Sequence, residues 1–348
     1  MHTSVAAVLA RTLFGCCGLL LAFDSFPVAR AQEKQLDRYD PLLATIQGDV
    51  QIVDMNVATG EKREIPIRLY LPTLTSSSEK SPIVLFSHGL GGSREGSPHI
   101  GKHWAKRGYV AIFLQHPGSD ATVWRDVSMA DRMKAMNAAA SAQNLVLRCG
   151  DVKGVLDQLE SWQKEPATAP LEVRGRVHSM DLSRIGMSGH SFGAVTTQAV
   201  SGQKMPLGRG FNDPRIRAAV VMSPSSPRGG SAKSAFGTVH IPWLLMTGTK
   251  DVSPIGNQDV ASRLAVYPSL PEGNKYELVL NDAEHSFPSE RSLPREKANR
   301  NPNHARAVLA LSTAFWDAHL RNDTNASQWL NGNGPRTILE SADTWKTK

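Results

Sequence analysis

Cysteine is almost absent from the part of the chain that would carry chemistry. Of three cysteines, Cys16 and Cys17 fall in an N-terminal apolar segment, so Cys149 stands alone in the remainder and an intramolecular disulfide is excluded there. Cys149 follows Leu145-Val146-Leu147-Arg148, a helix-like apolar stretch with no histidine beside it, and is expected to be a small buried hydrophobe rather than a nucleophile. The formal charge is +7, yet the basic residues are scattered, without a run of five and without interleaved aromatics, which argues against a nucleic-acid surface. No internal repeat, low-complexity block or Pro/Gly-rich linker divides the 348 residues, and 41% hydrophobic content suits one sizeable core. No pattern in the chain specifies an oligomeric state.

A long apolar run is also missing. The strongest, Leu13 to Phe23, is preceded by Arg11 and is too short to span a bilayer. With Ala29-Arg30-Ala31 after it, the layout is that of an export signal cleaved after Ala31, so that residues 1–31 are removed and 32–348 form a single domain, secreted or periplasmic and without a stable membrane anchor. A lipoprotein reading at Cys16 is disfavoured by the bulky Phe14 in Leu13-Phe14-Gly15-Cys16.

What is present, from residue 64 onward, is an alternation of short apolar runs with amphipathic stretches, which predicts a mostly parallel sheet with helices on both faces. Strands are expected at 65–71, 83–86, 110–114, 185–187, 218–222, 243–246 and 276–280. Helices are expected at 99–107, 126–137, 142–159, 192–201, 257–266 and 303–320. In such a sheet, functional groups gather at the carboxyl ends of strands. The long stretch between the strands near 115 and 185 makes residues 117–142 a candidate lid, with Trp124, Met129, Met133 and Met136 either over the site or packed onto the sheet.

Gly189-His190-Ser191-Phe192-Gly193 fits Gly-x-Ser-x-Gly, with the apolar run Ile185-Gly186-Met187 before it and a helix-forming stretch after it. A serine on a sharp strand-to-helix turn needs flanking positions nearly free of side chain, which Gly189 and Gly193 supply, and the helix start directs N–H groups toward developing negative charge. Ser191 is therefore the candidate nucleophile. Ser188 lacks the glycine flanks. Phe86-Ser87-His88-Gly89-Leu90-Gly91-Gly92 follows another apolar strand, where the second oxyanion donor is expected, and the donors are assigned to the main-chain amides of Leu90 and Phe192. His88 is expected to brace this loop.

Thr247-Gly248-Thr249-Lys250-Asp251 ends a strand with a carboxylate, and Asp282-Ala283-Glu284-His285 places an imidazole just after the next one. Asp251 as acid and His285 as base follow the chain order Ser, Asp, His. Asp282 and Glu284 lie too close in sequence to His285 to orient it across a cleft, and Asp213 sits in a Pro-containing loop. His116 ends a strand and, with Trp124, is a candidate for the pocket wall. His99 and His103 are spaced i, i+4, but no third ligand accompanies them, so a solvated helix face is expected and no metal.

Ser87-His88-Gly89-Leu90-Gly91-Gly92, His116-Pro117-Gly118-Ser119-Asp120 and Gly189–Gly193 together resemble bacterial proteins described as predicted dienelactone hydrolases, relatives of the plasma-type platelet-activating-factor acetylhydrolases. The likeness runs from about residue 40 to 330. It implies an α/β-hydrolase fold, a serine esterase mechanism without cofactor, and a small-molecule or lipid-like ester substrate. Two departures stand out. Dienelactone hydrolases use cysteine where this chain has Ser191. The acetylhydrolases carry their acid after the strand that follows the nucleophile helix, where this chain reads Val220-Val221-Met222-Ser223-Pro224. The later acid position is similar to that of cutinase-like and polyester-cleaving hydrolases.

Overall fold

Apolar residues two apart on a strand face the same way, so a run that is apolar at every position must be covered on both sides. The strand Ser81–Ser87 is buried throughout and shows how this chain does it. Val84 and Phe86 enter one core with Trp104 and Trp316, while Ile83 and Leu85 enter another with Val152 and Val155. The computed structural model describes residues 39–59, 63–73, 80–205, 210–227, 229–256, 258–289, 292–293, 296 and 300–348. The expected signal segment 1–31, its cleavage point and the Cys16 alternative lie outside the described residues.

The strands are β1 (Gln51–Ala58), β2 (Glu64–Leu71), β3 (Ser81–Ser87), β4 (Val110–Leu114), β5 (Met180–His190), β6 (Ile216–Met222), β7 (Trp243–Lys250), β8 (Lys275–Glu284) and β9 (Thr344–Thr347). They form one sheet in the order β1-β2-β4-β3-β5-β6-β7-β8-β9. From β4 to β8 every pairing is parallel, whereas β1 with β2, β2 with β4, and β8 with β9 are antiparallel. Residues Tyr39–Lys348 make one compact unit around this sheet.

The helices described are α1 (Pro98–Lys106), α2 (Thr122–Arg125), α3 (Arg132–Ala139), α4 (Ala142–Lys164), α5 (Leu171–Arg174), α6 (Phe192–Val200), α7 (Ala232–Phe236), α8 (Val260–Leu264), α9 (Val266–Ser269), α10 (Pro302–Leu320) and α11 (Thr324–Asn331). Local chemistry starts the long ones. Ser141 accepts from the Asn144 N–H to cap α4, and Asn301 accepts from Asn303 while Pro302 opens α10, filling donor positions that a helix start leaves unpaired. Residues of α1, α10 and α11 line the core on one face of the sheet; those of α4 and α6 line the other. No helix among the described residues is long and apolar enough to cross a membrane.

The expected strands all lie inside observed ones. β1 and β9 were not expected. β1 alternates polar and apolar residues so that only Val53 and Val57 are buried, and β9 is a four-residue edge strand whose Lys346 pairs with Glu277 at 2.8 Å. Of the expected helix over 126–137 only 132–137 is helical, within α3, and the short α2 precedes it. His103 is half-buried and hydrogen-bonds the Pro41 carbonyl at 3.1 Å, and His99 is half-buried too, which corrects the expectation of a solvated face.

Behind the sheet, Asp317 of α10 gathers three donors: Tyr39 Oη at 2.7 Å, Tyr109 Oη at 2.6 Å and Arg107 Nη2 at 2.5 Å. Removing one partner of a buried ion pair strands the other charge. Asp317→Ala is therefore expected to lower stability by about 3–5 kcal/mol, read from urea unfolding curves, and a loss below about 1 kcal/mol would contradict this account.

Candidate active site

β5 and α6 meet at Ser191, whose φ of 58° and ψ of −116° are rare for a residue with a side chain. Such a conformation costs about 1–3 kcal/mol and persists only where the surroundings enforce it. They do so by contact. A Cβ on Gly193 would lie 1.9 Å from the Ser87 carbonyl oxygen, and one on Gly189 would lie 2.4 Å from the Gly193 oxygen. The Ser191 N–H is tied to the Met222 carbonyl of β6 at 3.0 Å.

Ser191 Oγ lies 2.8 Å from His285 Nε2, and His285 Nδ1 lies 2.6 Å from Asp251 Oδ1. His285 follows β8 and Asp251 follows β7, so the parallel register of these strands brings together groups 34 residues apart. Asp251 is fully buried. Ser223 Oγ and Thr247 Oγ1 donate to its Oδ2 at 2.7 and 2.8 Å, and Arg263 Nε lies 3.0 Å from its Oδ1. Burial pushes this carboxyl's pKa up, but the His285 hydrogen bond, the Arg263 charge and the Ser223 hydroxyl outweigh it and hold the group below the usual carboxylate range.

Arg263 of α8 was not singled out in the sequence. It donates to the carbonyls of Asp251, Ser223 and Pro224 at 2.7, 3.0 and 3.1 Å, so one buried guanidinium fixes the ends of β6 and β7 together. The only local signal is Asp259, four residues earlier, capping the helix that carries it. With the Nδ1 proton of His285 directed at Asp251, the 3.2 Å approach of Arg263 Nη2 to that nitrogen is a contact between donors. The competing acids are engaged elsewhere: Asp213 with Arg215 at 2.6 Å, Asp282 with Lys250 at 2.6 Å.

A cleft of about 420 Å³ opens over Ser191, walled by Phe86, Leu90, Pro98, His190, His285 and Leu293 among others. Residues 88–92 line it beside Ser191. Phe192 opens α6, where a helix start leaves its N–H without an intrahelical partner. His190 Nε2–H donates to the His285 carbonyl, 2.8 Å away. Since a carbonyl only accepts, the proton is on Nε2.

His116 and Trp124 lie away from the cleft lining. His116 is wholly buried, with its ring between Ser87 Oγ at 2.8 Å and Asp151 Oδ2 at 2.9 Å. Trp124 donates to the Gly91 carbonyl at 2.8 Å and, with Met136, sits against Gly91. Met129 and Met133, in the same segment, are exposed. Cys149 is buried and unpaired, and burial pushes its thiol up to about 12, far from a thiolate at neutral pH.

Residues 5–149 match the family model described as platelet-activating factor acetylhydrolase, isoform II. The matched stretch contains the Ser87–Gly92 loop and the His116–Asp120 loop, two of the three motifs behind the resemblance, and ends ahead of Ser191, Asp251 and His285. No curated protein matches the chain.

Burial drives His190 down to about 3 and His88 and His116 well below the usual imidazole value, so all three are neutral when folded. The unfolded chain would bind those protons first as pH falls below about 6.5. Stability from these groups is therefore complete above that pH and lost as pH drops toward the folded-state values. The urea midpoint is expected to fall between pH 7 and pH 5, before ordinary carboxylates titrate; equal midpoints at the two values would refute this. Arg263→Met is expected to cost about 3 kcal/mol in the same assay at pH 7, because it uncouples a buried carboxylate from its cation.

Proposed function

We propose that this chain hydrolyses carboxylic esters by two-step acyl transfer through Ser191. The observation that carries the reading is the pair of short hydrogen bonds from Ser191 to His285 and from His285 to Asp251, at 2.8 and 2.6 Å, at the floor of an open cleft. Ser191 Oγ attacks the ester carbonyl carbon as its proton passes to His285 Nε2, and Asp251 stabilises the imidazolium that results. The carbonyl oxygen, now an anion, takes hydrogen bonds from the Leu90 and Phe192 amides, each donor being worth roughly 3–4 kcal/mol in the transition state. When the tetrahedral species collapses, the imidazolium gives its proton to the departing alkoxide. Water repeats the sequence on the acyl-enzyme, releasing the acid and restoring Ser191. Every proton is accounted for by His285, and no metal or organic cofactor is called on.

The α/β order of elements, the mostly parallel sheet and the turn at Ser191 support assignment to the α/β-hydrolase fold. An exported enzyme acting on short-acyl esters is consistent with a cleft of about 420 Å³ over Ser191. The match to an acetylhydrolase family favours a second reading of the same site, removal of a short acyl group from a phospholipid.

Hydrolysis of p-nitrophenyl esters from acetyl to palmitoyl, by the chain from Gln32 onward, tests the first reading. Ser191→Ala is expected to lower kcat by at least about 10⁴-fold with the fold intact. Activity retained in that variant would overturn the assignment. A wild-type rate highest at acetyl supports the confined acyl pocket; turnover of a short-acyl phospholipid faster than any p-nitrophenyl ester would favour the second reading.

A further inference from the structure

Directly behind the loop Ser87–Gly92 lies another serine–histidine–aspartate array, closed to solvent. Ser87, His116 and Asp151 are at most 1% exposed. Ser87 Oγ–H donates to His116 Nε2 at 2.8 Å, His116 Nδ1–H donates to Asp151 Oδ2 at 2.9 Å, and Asp151 is paired with Arg63 at 2.6 Å. No substrate reaches Ser87, so this array acts only through what it touches. Arg148, equally buried, donates to the His88 carbonyl and to Ser119 Oγ, both at 2.8 Å, and its guanidinium lies 4.5 Å from the centre of the Phe192 ring. The main-chain N–H of His116 donates to His88 Nε2 at 3.1 Å.

That last bond decides a tautomer. A main-chain N–H can only donate, so His88 Nε2 carries a lone pair and the ring proton sits on Nδ1. The Nδ1–H donates to the Gly89 carbonyl at 2.6 Å, and the same oxygen accepts from the Gly92 N–H at 3.0 Å. The approach of Arg148 Nη2 to Nδ1, at 3.3 Å, is then a contact between donors, and burial together with the guanidinium charge opposes a second proton on the ring. The Gly89 carbonyl and the Leu90 N–H belong to one peptide, and in a trans peptide they point in opposite directions. Two bonds that draw the Gly89 oxygen inward therefore turn the Leu90 N–H outward, beside Ser191, whose Cβ is 3.4 Å from where a Cβ on Gly89 would lie. Among the described residues, the Leu90 N–H donates to none.

We propose that His88 is a positioning residue of the oxyanion site, held in its Nδ1–H tautomer by the buried Ser87–His116–Asp151–Arg148 array, and that it pins the Gly89–Leu90 peptide with the Leu90 N–H facing the nucleophile. This rests on the esterase reading of Ser191. The array is a scaffold for one hydrogen atom, and its effect is confined to the charge that develops on the carbonyl oxygen.

The test compares p-nitrophenyl acetate with p-nitrophenyl thionoacetate, whose sulfur accepts hydrogen bonds poorly and draws little from an oxyanion site. In His88→Leu, kcat for the oxygen ester is expected to fall about 100-fold, the effect of one lost donor, with KM within about threefold. The thionoester rate is expected to fall less than about tenfold, so the ratio of the two rates collapses by about tenfold or more. His88→Asn, whose amide N–H can reach the Gly89 oxygen, restores the ratio to within about threefold of wild type; Ser87→Ala shifts it in the same direction as His88→Leu, by less. Equal losses on both substrates, as a smaller folded fraction would give, overturn the proposal. So does a ¹⁵N spectrum of the wild-type His88 ring at pH 7 with the proton on Nε2, a readout that needs no variant to fold. Absence of Ser191-dependent turnover on both substrates would instead remove the esterase reading, whereas turnover with an unmoved ratio removes only the role of His88.

Discussion

The contact between Gly193 and the Ser87 carbonyl is the constraint on which the site depends. β3 and β5 are parallel neighbours with Ser87 beside Gly189, so the loop leaving β3 and the helix leaving β5 must pass each other at backbone distance. A Cβ at position 193 would meet main-chain atoms of both Ser87 and His88. Because nothing intervenes, the two segments that carry the Leu90 and Phe192 amides are spaced by main chain against main chain, and the His88 side chain has only the turn of one peptide left to set. Precision in such a site comes from packing that leaves no alternative.

Around that contact, charge is arranged in two buried clusters with a guanidinium in each. Arg263 ties β6 and β7 together beneath Asp251, and Arg148 ties the β3 loop and the 116–120 loop together behind His88. The two differ in their counter-charge. Arg263 lies 3.0 Å from the Asp251 carboxylate, whereas the acceptors bonded to Arg148 are a carbonyl and two hydroxyls. Burial, only partly offset by Asp151 and Asp120, brings Arg148 down to about 9, the mark of a cation held in place by geometry at a cost in hydration. Its position against the Phe192 ring puts that charge next to the helix start that faces Ser191.

What could be read in the sequence was whatever chemistry is local. Gly189–Gly193 announces its turn through two glycines in five residues, and Asp251 and His285 sit just past apolar runs, so strand ends and chain order suffice to propose them. Arg63, Arg148, Asp151 and Arg263 carry no such mark. Arg148 and Asp151 read as polar positions of a long helix, and only the folding of α4 against the loops after β3 and β4 turns them inward. His116 was noticed for its place after a strand, but the face it presents depends on Ser87 and Asp151, which are 29 and 35 residues away. The edge strands escaped for a related reason: β1 and β9 are half exposed, and their pairing is set by partners rather than by their own composition.

The Ser223 hydroxyl has a consequence of its own. Ser223 directly follows β6, with φ of 63°, and its hydroxyl donates to the carboxylate that follows β7. Two adjacent strands thus converge on one point beneath the imidazole, 2.7 Å apart at their closest polar atoms. A negative charge delivered to that point by either strand would meet the same histidine, the same Thr247 and the same arginine. The position of the carboxylate is in this sense a location defined by the sheet before it is a residue defined by the chain: the ends of β6 and β7 reach it equally.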